Sequence, residues 1–191
     1  MDLFDYMREN ALRQEAPLAV RMRPQSLEEI AGQAHILGRD KLLYRAVKAD
    51  AVGSMILYGP PGCGKTTIAE VISRETQSDF CRLNATTAGK KEMEEVIQRA
   101  KENFGRGKRT TLFVDEIHRF HKGQQDFLLP YVEDGTIALI GATTENPFFE
   151  VNAALLSRSR IFELKPLAAA DIAALLRRAM ADKERGYGNW S

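Results

Sequence analysis

Two cysteines, Cys63 and Cys81, are all that the chain carries in 191 residues. That is too few for a disulfide framework or a cysteine-ligated metal site. Cys63 also lies inside a glycine-rich loop, where oxidation would interfere with the loop's work, so a reducing cytoplasm is the natural setting. An excess of one charge is missing too: 27 Lys and Arg against 26 Asp and Glu leave a formal net charge of +1. Whole-chain charge therefore gives no case for a nucleic-acid or membrane partner, and such a partner must be met by a local patch or an assembly. No apolar run approaches the roughly 18 residues of a membrane span, and the acidic N-terminus is not a signal peptide. Repeats and low-complexity tracts are also lacking. What is left, at 44% hydrophobic and 28% charged residues, reads as a globular chain with a substantial core. Its length fits one domain, or one plus the start of another.

Against this plain background the run from Met55 to Thr67 stands out. Gly59-Pro60-Pro61-Gly62-Cys63-Gly64-Lys65-Thr66 completes the G-x-x-x-x-G-K-[ST] phosphate loop, and Thr67 follows it. Glycines let backbone N–H groups turn inward around a polyphosphate. The lysine then reaches the β/γ oxygens, and the threonine hydroxyl is placed to ligate Mg²⁺. An apolar strand (54–58) enters the loop and a helix (64–76) leaves it, its positive N-terminal end facing the phosphates. The pattern predicts nucleoside triphosphate binding.

Elements alternate from there: strand 79–84, helix 89–103, strand 110–115, helix 123–132, strand 137–142, a short helix at 152–157, strand 160–164, and helical periodicity from Ala168 to Lys183 after Pro166. Upstream, Ser26-Leu27-Glu28-Glu29 reads as a capping box and a helix is expected near 39–49. Short β-rich runs between helices predict a five-stranded parallel sheet covered by helices on both faces. Residues 1–16 read as an N-terminal tail, in which Leu3, Phe4, Met7, Ala11 and Leu12 share one helical face.

The strand Thr111-Leu112-Phe113-Val114 ends in Asp115-Glu116, a carboxylate pair. In phosphate-loop enzymes a carboxylate at such a strand end helps hold Mg²⁺, the role expected of Asp115. Glu116 is placed to orient and polarise an attacking water. The next strand ends in Thr143-Thr144-Glu145-Asn146, polar groups within reach of a γ-phosphate or simply turn chemistry. Arg158 and Arg160 precede the last strand. A guanidinium suits a developing phosphoryl charge, yet by the residues alone both read as surface arginines. His118 and His121 lack the partners a zinc site needs, and His35 stands alone. The basic stretch Lys101 to Arg109 reads equally as a phosphate-backbone contact and as a solvated loop.

Taken together, these residues resemble the AAA+ ATPase module, and more closely the bacterial replication-associated recombination protein A family. Asp115-Glu116-Ile117-His118-Arg119-Phe120, Gln124-Gln125-Asp126, Gly141-Ala142-Thr143-Thr144-Glu145-Asn146-Pro147 and Asn152-Ala153-Ala154-Leu155-Leu156-Ser157-Arg158 carry the likeness, which covers about residues 17–188. Pro17-Leu18-Ala19, Met22-Arg23-Pro24 and Gly32-Gln33 resemble the family's adenine-packing segment, which makes Ile30, Gly32 and Gln33 candidate nucleotide contacts.

The resemblance implies a P-loop NTPase of AAA+ type that binds ATP and Mg²⁺ and hydrolyses ATP to ADP and phosphate. Thr144 matches the γ-phosphate sensor, and Thr143 and Asn146 are neighbours easily mistaken for it. Arg158 matches the arginine finger that acts on ATP held by the next subunit, with Arg160 as second choice. Asn84 matches a residue that couples Glu116 to ligand state. Residues 17–166 correspond to the nucleotide-binding core and 167–191 to the start of a truncated helical lid, so a further nucleotide-contacting arginine and an oligomerisation region are expected beyond Ser191. The family also implies a bacterial, nucleoid-associated cytoplasmic protein acting on DNA at single-stranded gaps or forks, homo-oligomeric at full length. Single-strand binding protein or the sliding clamp are implied partners, and no membrane. Asp2-Leu3-Phe4 resembles the end of a clamp-docking peptide. Two other readings stand beside this one: a nucleotide-switched DNA- or clamp-binding module, and a clamp-loader or branch-migration motor subunit.

Overall fold

The computed structural model describes residues 16–189. The tail helix expected within residues 1–15 and the Asp2-Leu3-Phe4 motif lie outside the described residues. Short helices α1 (Leu18–Arg21), α2 (Ala34–Leu37) and α3 (Leu42–Lys48) precede strand β1 (Met55–Tyr58). There follow α4 (Lys65–Glu75), β2 (Asp79–Asn84), α5 (Lys90–Gly105), β3 (Thr110–Asp115), α6 (Lys122–Glu133), β4 (Ala138–Thr143), α7 (Pro147–Glu150), α8 (Ala153–Ser157), β5 (Arg160–Glu163) and α9 (Ala169–Ala181). The expected strands all form, with ends displaced by a residue at most. The expected helix at 39–49 contracts to Leu42–Lys48.

The five strands make one sheet in the order β2-β3-β4-β1-β5, and every pairing is parallel. Parallel strands need crossovers, and helices laid on both faces leave the inner strands no wet side. That is why β3 is buried along five of its six residues. Alternation sorts its side chains between two cores. Ile56, Leu112, Val114 and Leu139 face Met93, Ile97 and Ala100 of α5 and Leu128 of α6. Met55, Leu57, Phe113, Ile140 and Ala142 face Ile68, Ala69 and Ile72 of α4 and Leu43 and Val47 of α3. Each fully buried side chain of this size contributes about 1.5–3 kcal/mol. The sheet is thus a rigid plate whose C-terminal edge holds the loops discussed below.

The capping box expected at Ser26 does not form. Leu27–Glu29 is a single 3₁₀ turn with no capping bond from the Ser26 side chain. The Glu29 carboxylate is drawn elsewhere: it accepts the Gln25 N–H at 3.2 Å and both terminal nitrogens of Arg185, at 3.1 and 3.2 Å. Arg178 of α9 adds hydrogen bonds to the carbonyls of Glu29 and Met22. A guanidinium offers more and stronger hydrogen bonds than a helix-end N–H, so tertiary charge pairing wins over the local cap.

Burial opposes ionisation of Glu29, but the Arg185 hydrogen bond and the Gln25 N–H outweigh it and hold its carboxyl below its usual 4.5. A carboxylate depressed in the folded state contributes stability above its ordinary pKa and loses it as pH falls through the folded value. The expected result is a loss of stability on acidification through and below pH 4.5 that Glu29→Gln makes shallower, read from urea midpoints across the pH series. An unchanged slope would remove Glu29 from the acid response.

Candidate nucleotide-binding site

The phosphate loop leaves β1 at the C-terminal edge of the sheet. Gly59 is the first residue past the strand, and its N–H reaches the Thr143 carbonyl of β4 at 3.2 Å. A side chain there would collide with the backbone oxygen of Leu164, just past β5, so only glycine lets the loop start flush against its neighbours. Gly64 closes the loop at φ 102° as N-cap of α4. The Lys65 ammonium lies in the concavity, donating to the carbonyls of Gly59 (2.7 Å) and Pro60 (2.9 Å), with the Cys63 sulfur at 3.8 Å. Thr66 and Thr67, half-buried, follow in the first turn of α4.

β3 reaches the same edge one strand further on. Val114 pairs with Gly141 of β4, and Ile56 of β1 pairs with the same glycine from the other side. Asp115 and Glu116 therefore stand across β4 from the loop, two strand spacings or roughly 9.5 Å away. That gap is where a crossover reversal in a doubly wound sheet opens a ligand crevice. Glu116 takes a left-handed conformation, φ 54°, uncommon for a residue with a side chain. It turns the chain sharply out of β3 into a 3₁₀ turn at Ile117–Arg119 and leaves its carboxylate about one-third exposed, open to water.

Asp115 has a partner that the sequence did not announce. Arg82 of β2 reaches its carboxylate at 2.9 Å while lying over the Phe113 ring. The pair sits on neighbouring strands 33 residues apart, so only strand register could have revealed it.

Between β3 and β1, the end of β4 sorts its polar residues by burial. Thr143 is fully buried, its hydroxyl 2.9 Å from His118 Nδ1 and accepting the Glu145 N–H. Asn146 caps α7 by accepting the Phe148 N–H. Thr144, half-buried next to the loop, is the member of the trio whose side chain neither of these duties claims. Asn84 lies level with Asp115 and its side-chain oxygen caps the turn after β2 by accepting the Thr86 N–H at 2.9 Å.

On the far flank, Ile30 packs partly buried on the α4-side core. Gly32, at φ 78°, runs so close to Leu167 and Asp171 that a Cβ would strike them. Gln33 is 1% exposed, and its amide is fully engaged with backbone: it donates to the carbonyls of Cys63 and Lys165 and accepts the Lys165 N–H. It braces the phosphate loop against the strap that follows β5, a different task from presenting its side chain to a base. Gln33→Ala leaves those buried groups unpaired and is expected to cost about 3 kcal/mol of stability. A denaturant midpoint that does not move would show the brace to be idle.

Arg158 ends α8 and pairs with Glu133, while also donating to Ala154 O and Ser157 Oγ. Arg160 starts β5 opposite Met55, the first residue of β1. Both arginines thus lie at the N-terminal edge of the sheet, with about 10 Å of strand between them and the loop of their own chain. Three members of the basic stretch 101–109 are engaged internally: Lys101, within α5, lies over the Tyr131 ring, Lys108 approaches Asp79, and Arg109 bonds Asp50. His121 caps α6, and His35 meets the Glu163 carbonyl at 2.8 Å. Among the described residues no three His, Cys, Asp or Glu side chains cluster as a metal site. A magnesium ion accepts such a sparse protein share, because phosphate oxygens and water complete its octahedron. The hard oxygens of Thr66 and Asp115 on one crevice fit that requirement.

Residues 55–167 match the model of the ATPase family associated with various cellular activities (AAA). Replication-associated recombination protein A of Escherichia coli K12 is 58% identical over 172 residues, 90% of this chain and 38% of that protein. The Bacillus subtilis protein of the same name is 51% identical over 92% of this chain and 41% of its own length. The chain thus spans about two-fifths of the length of these curated relatives. Among solved structures, the Thermotoga maritima RuvB Holliday junction branch migration motor superposes with a TM-score of 0.67 at 29% identity, over 84% of this chain and 54% of that one.

Proposed function

This chain belongs to the AAA family of ATPases, among its replication-associated recombination protein A members, and from that premise we propose that it is a Mg²⁺-dependent ATP-hydrolysing core serving DNA replication and recombination. The observation that carries the reading is the convergence of three strand ends on one crevice: the loop after β1, the carboxylate pair after β3 and the threonines ending β4.

In this reading the loop N–H groups and Lys65 hold the β- and γ-phosphates, and the positive end of α4 adds its dipole. Thr66 and Asp115 hold Mg²⁺, which supplies charge neutralisation across the phosphates. Arg82 engages Oδ2 of Asp115, which leaves Oδ1 for that task. Glu116 accepts the proton of the attacking water, and Thr144 holds the γ-phosphate from the neighbouring strand. Arg158, out of reach of its own loop, completes the site of an adjoining subunit. Ile30, Gly32 and Gln33 shape the adenine side from below, with Gln33 acting through backbone. Residues 17–166 form the nucleotide-binding core, and α9 begins a lid tied to the Glu29 segment.

The relatives' names connect them with replication and recombination, which supports DNA as the partner, and the distance of Arg158 from its own loop supports a homo-oligomer as the working form. A cytoplasmic setting accords with those bacterial relatives, and no described helix is long and apolar enough to cross a membrane. A motor of the RuvB kind shares the architecture at 29% identity, half the 58% of the E. coli recombination protein, which favours the latter reading. The intact Asp115-Glu116 pair argues against a module that merely switches on binding ATP, since such a module needs no water-polarising carboxylate.

The test is calorimetric titration of Mg²⁺-ATP and Mg²⁺-ADP into the chain, run beside steady-state hydrolysis. Saturable binding of both is expected. Lys65→Ala should lose about 3 kcal/mol, roughly 100-fold in affinity, because charge-assisted bonds to phosphate are removed. No saturable ATP binding by the unmodified chain would end the proposal.

A further inference from the structure

The crevice contains one more side chain with a task, His118. Its position follows from a glycine on the neighbouring strand. A Cβ at Gly141 would meet Ile117 Cδ1 at 2.8 Å and Ile56 Cδ1 at 2.7 Å. The bare backbone of β4 therefore lets the fully buried Ile117 settle against it, drawing the 3₁₀ turn after Glu116 over the end of β4. The imidazole, 7% exposed, lands between two oxygens. Its Nδ1 is 2.9 Å from Thr143 Oγ1 and 3.4 Å from Glu116 Oε2.

The chemistry of those neighbours decides where the ring proton sits. Thr143 Oγ1 already accepts the Glu145 N–H at 3.0 Å. A bare Nδ1 would turn its lone pair toward a carboxylate oxygen 3.4 Å away, which is repulsive, whereas an N–H there donates to Thr143 Oγ1 beside that oxygen, and the Thr143 hydroxyl has the Glu145 carbonyl to turn to. We propose that His118 is a positioning residue for Glu116: its Nδ1–H is shared between Thr143 and one carboxylate oxygen, tying the carboxylate to the end of β4 and leaving the other oxygen free for water. The proposal rests on the reading of Glu116 as the proton acceptor. It joins the carboxylate of β3 to the strand whose Thr143 carbonyl holds the Gly59 N–H of the phosphate loop, so displacement of β4 by ligand is felt at Glu116 through one ring.

The other two histidines make the tautomer measurable. His121 Nδ1 accepts the Gln124 N–H, and His35 Nε2 meets a carbonyl, so both rings carry hydrogen on Nε2. Two-bond ¹H–¹⁵N spectra of the neutral imidazoles should therefore show two Nε2–H rings and one Nδ1–H ring, the last vanishing in His118→Asn. Three Nε2–H rings would overturn the proposal. In turnover assays of the assembled protein, His118→Ala should lower kcat roughly 10- to 100-fold, as expected when a reacting group loses its orientation, with ATP affinity within about twofold. His118→Asn places an N–H where Nδ1 was and should recover most of the rate, while His118→Gln, one carbon longer, should not. A merely structural role predicts that Asn and Gln behave alike, and that result overturns the proposal, as does full activity in His118→Ala. If Glu116→Gln itself retains turnover, the underlying reading fails and this one with it. If only Glu116→Gln is dead and His118→Ala is not, the positioning role alone falls.

Discussion

Glu116→Gln is expected to keep ATP affinity within about twofold while lowering turnover by roughly 10²- to 10⁴-fold, the range a positioned proton acceptor contributes. The amide matches the carboxylate in shape, so the sharp turn at φ 54° and the 3₁₀ turn beyond it should persist. What is lost is the capacity to take a proton from water and the negative charge that orients it. Because the side chain is about one-third exposed and set across β4 from the loop, its replacement leaves the loop's own hydrogen bonds intact. Calorimetry and hydrolysis on the same preparation separate the two effects. Turnover near the unmodified rate would take Glu116 out of the mechanism and move attention to Asp115 or to a group supplied by another subunit.

Arg158→Ala is expected to act as strongly, lowering turnover about 10³- to 10⁵-fold as removal of an arginine finger does, but by a different route. The residue stands at the N-terminal edge of the sheet, about 10 Å of strand from its own phosphate loop. Any catalytic effect must therefore be exerted on a neighbour. Its ion pair with Glu133 is solvent-facing at 41% exposure, so loss of the side chain should change stability by no more than about 1 kcal/mol.

The decisive arm is a mixture of Arg158→Ala with Glu116→Gln, each inactive alone. A mixed assembly contains sites with an intact Glu116 facing an intact Arg158, and partial turnover should return. Failure of the mixture to recover activity, with both variants binding ATP and associating, would exclude action across subunits.

The phosphate loop was legible because its chemistry is local. Glycines, lysine and threonine act within eight consecutive residues, and the strand and helix that flank them announce themselves by apolar runs. The Asp115-Glu116 pair was legible for the same reason, as carboxylates ending an apolar strand. Ser26 was misread because the capping signal is also local: Glu29, three residues on, found two arginines about 150 residues away that no window around Ser26 contains. The bracing task of Gln33 is equally invisible to any local window, since the carbonyls it binds belong to Cys63 and Lys165. His118 carries no local signal of its link to Thr143 and Glu116, which depends on the packing of Ile117 on Gly141.

By itself, then, the order of residues determined the alternation of strands and helices, the glycine-rich loop between the first strand and its helix, and the carboxylates that end the third strand. Those features depend on backbone conformation and side-chain chemistry over a handful of neighbours. Tertiary structure decided which groups share a partner: Arg82 with Asp115, His118 with Thr143, Glu29 with Arg178 and Arg185, and Arg158 at the sheet edge away from its own loop. Parallel strand order places residues 27 to 105 positions apart side by side, and which of them meet is set by register and by where a missing Cβ permits close approach.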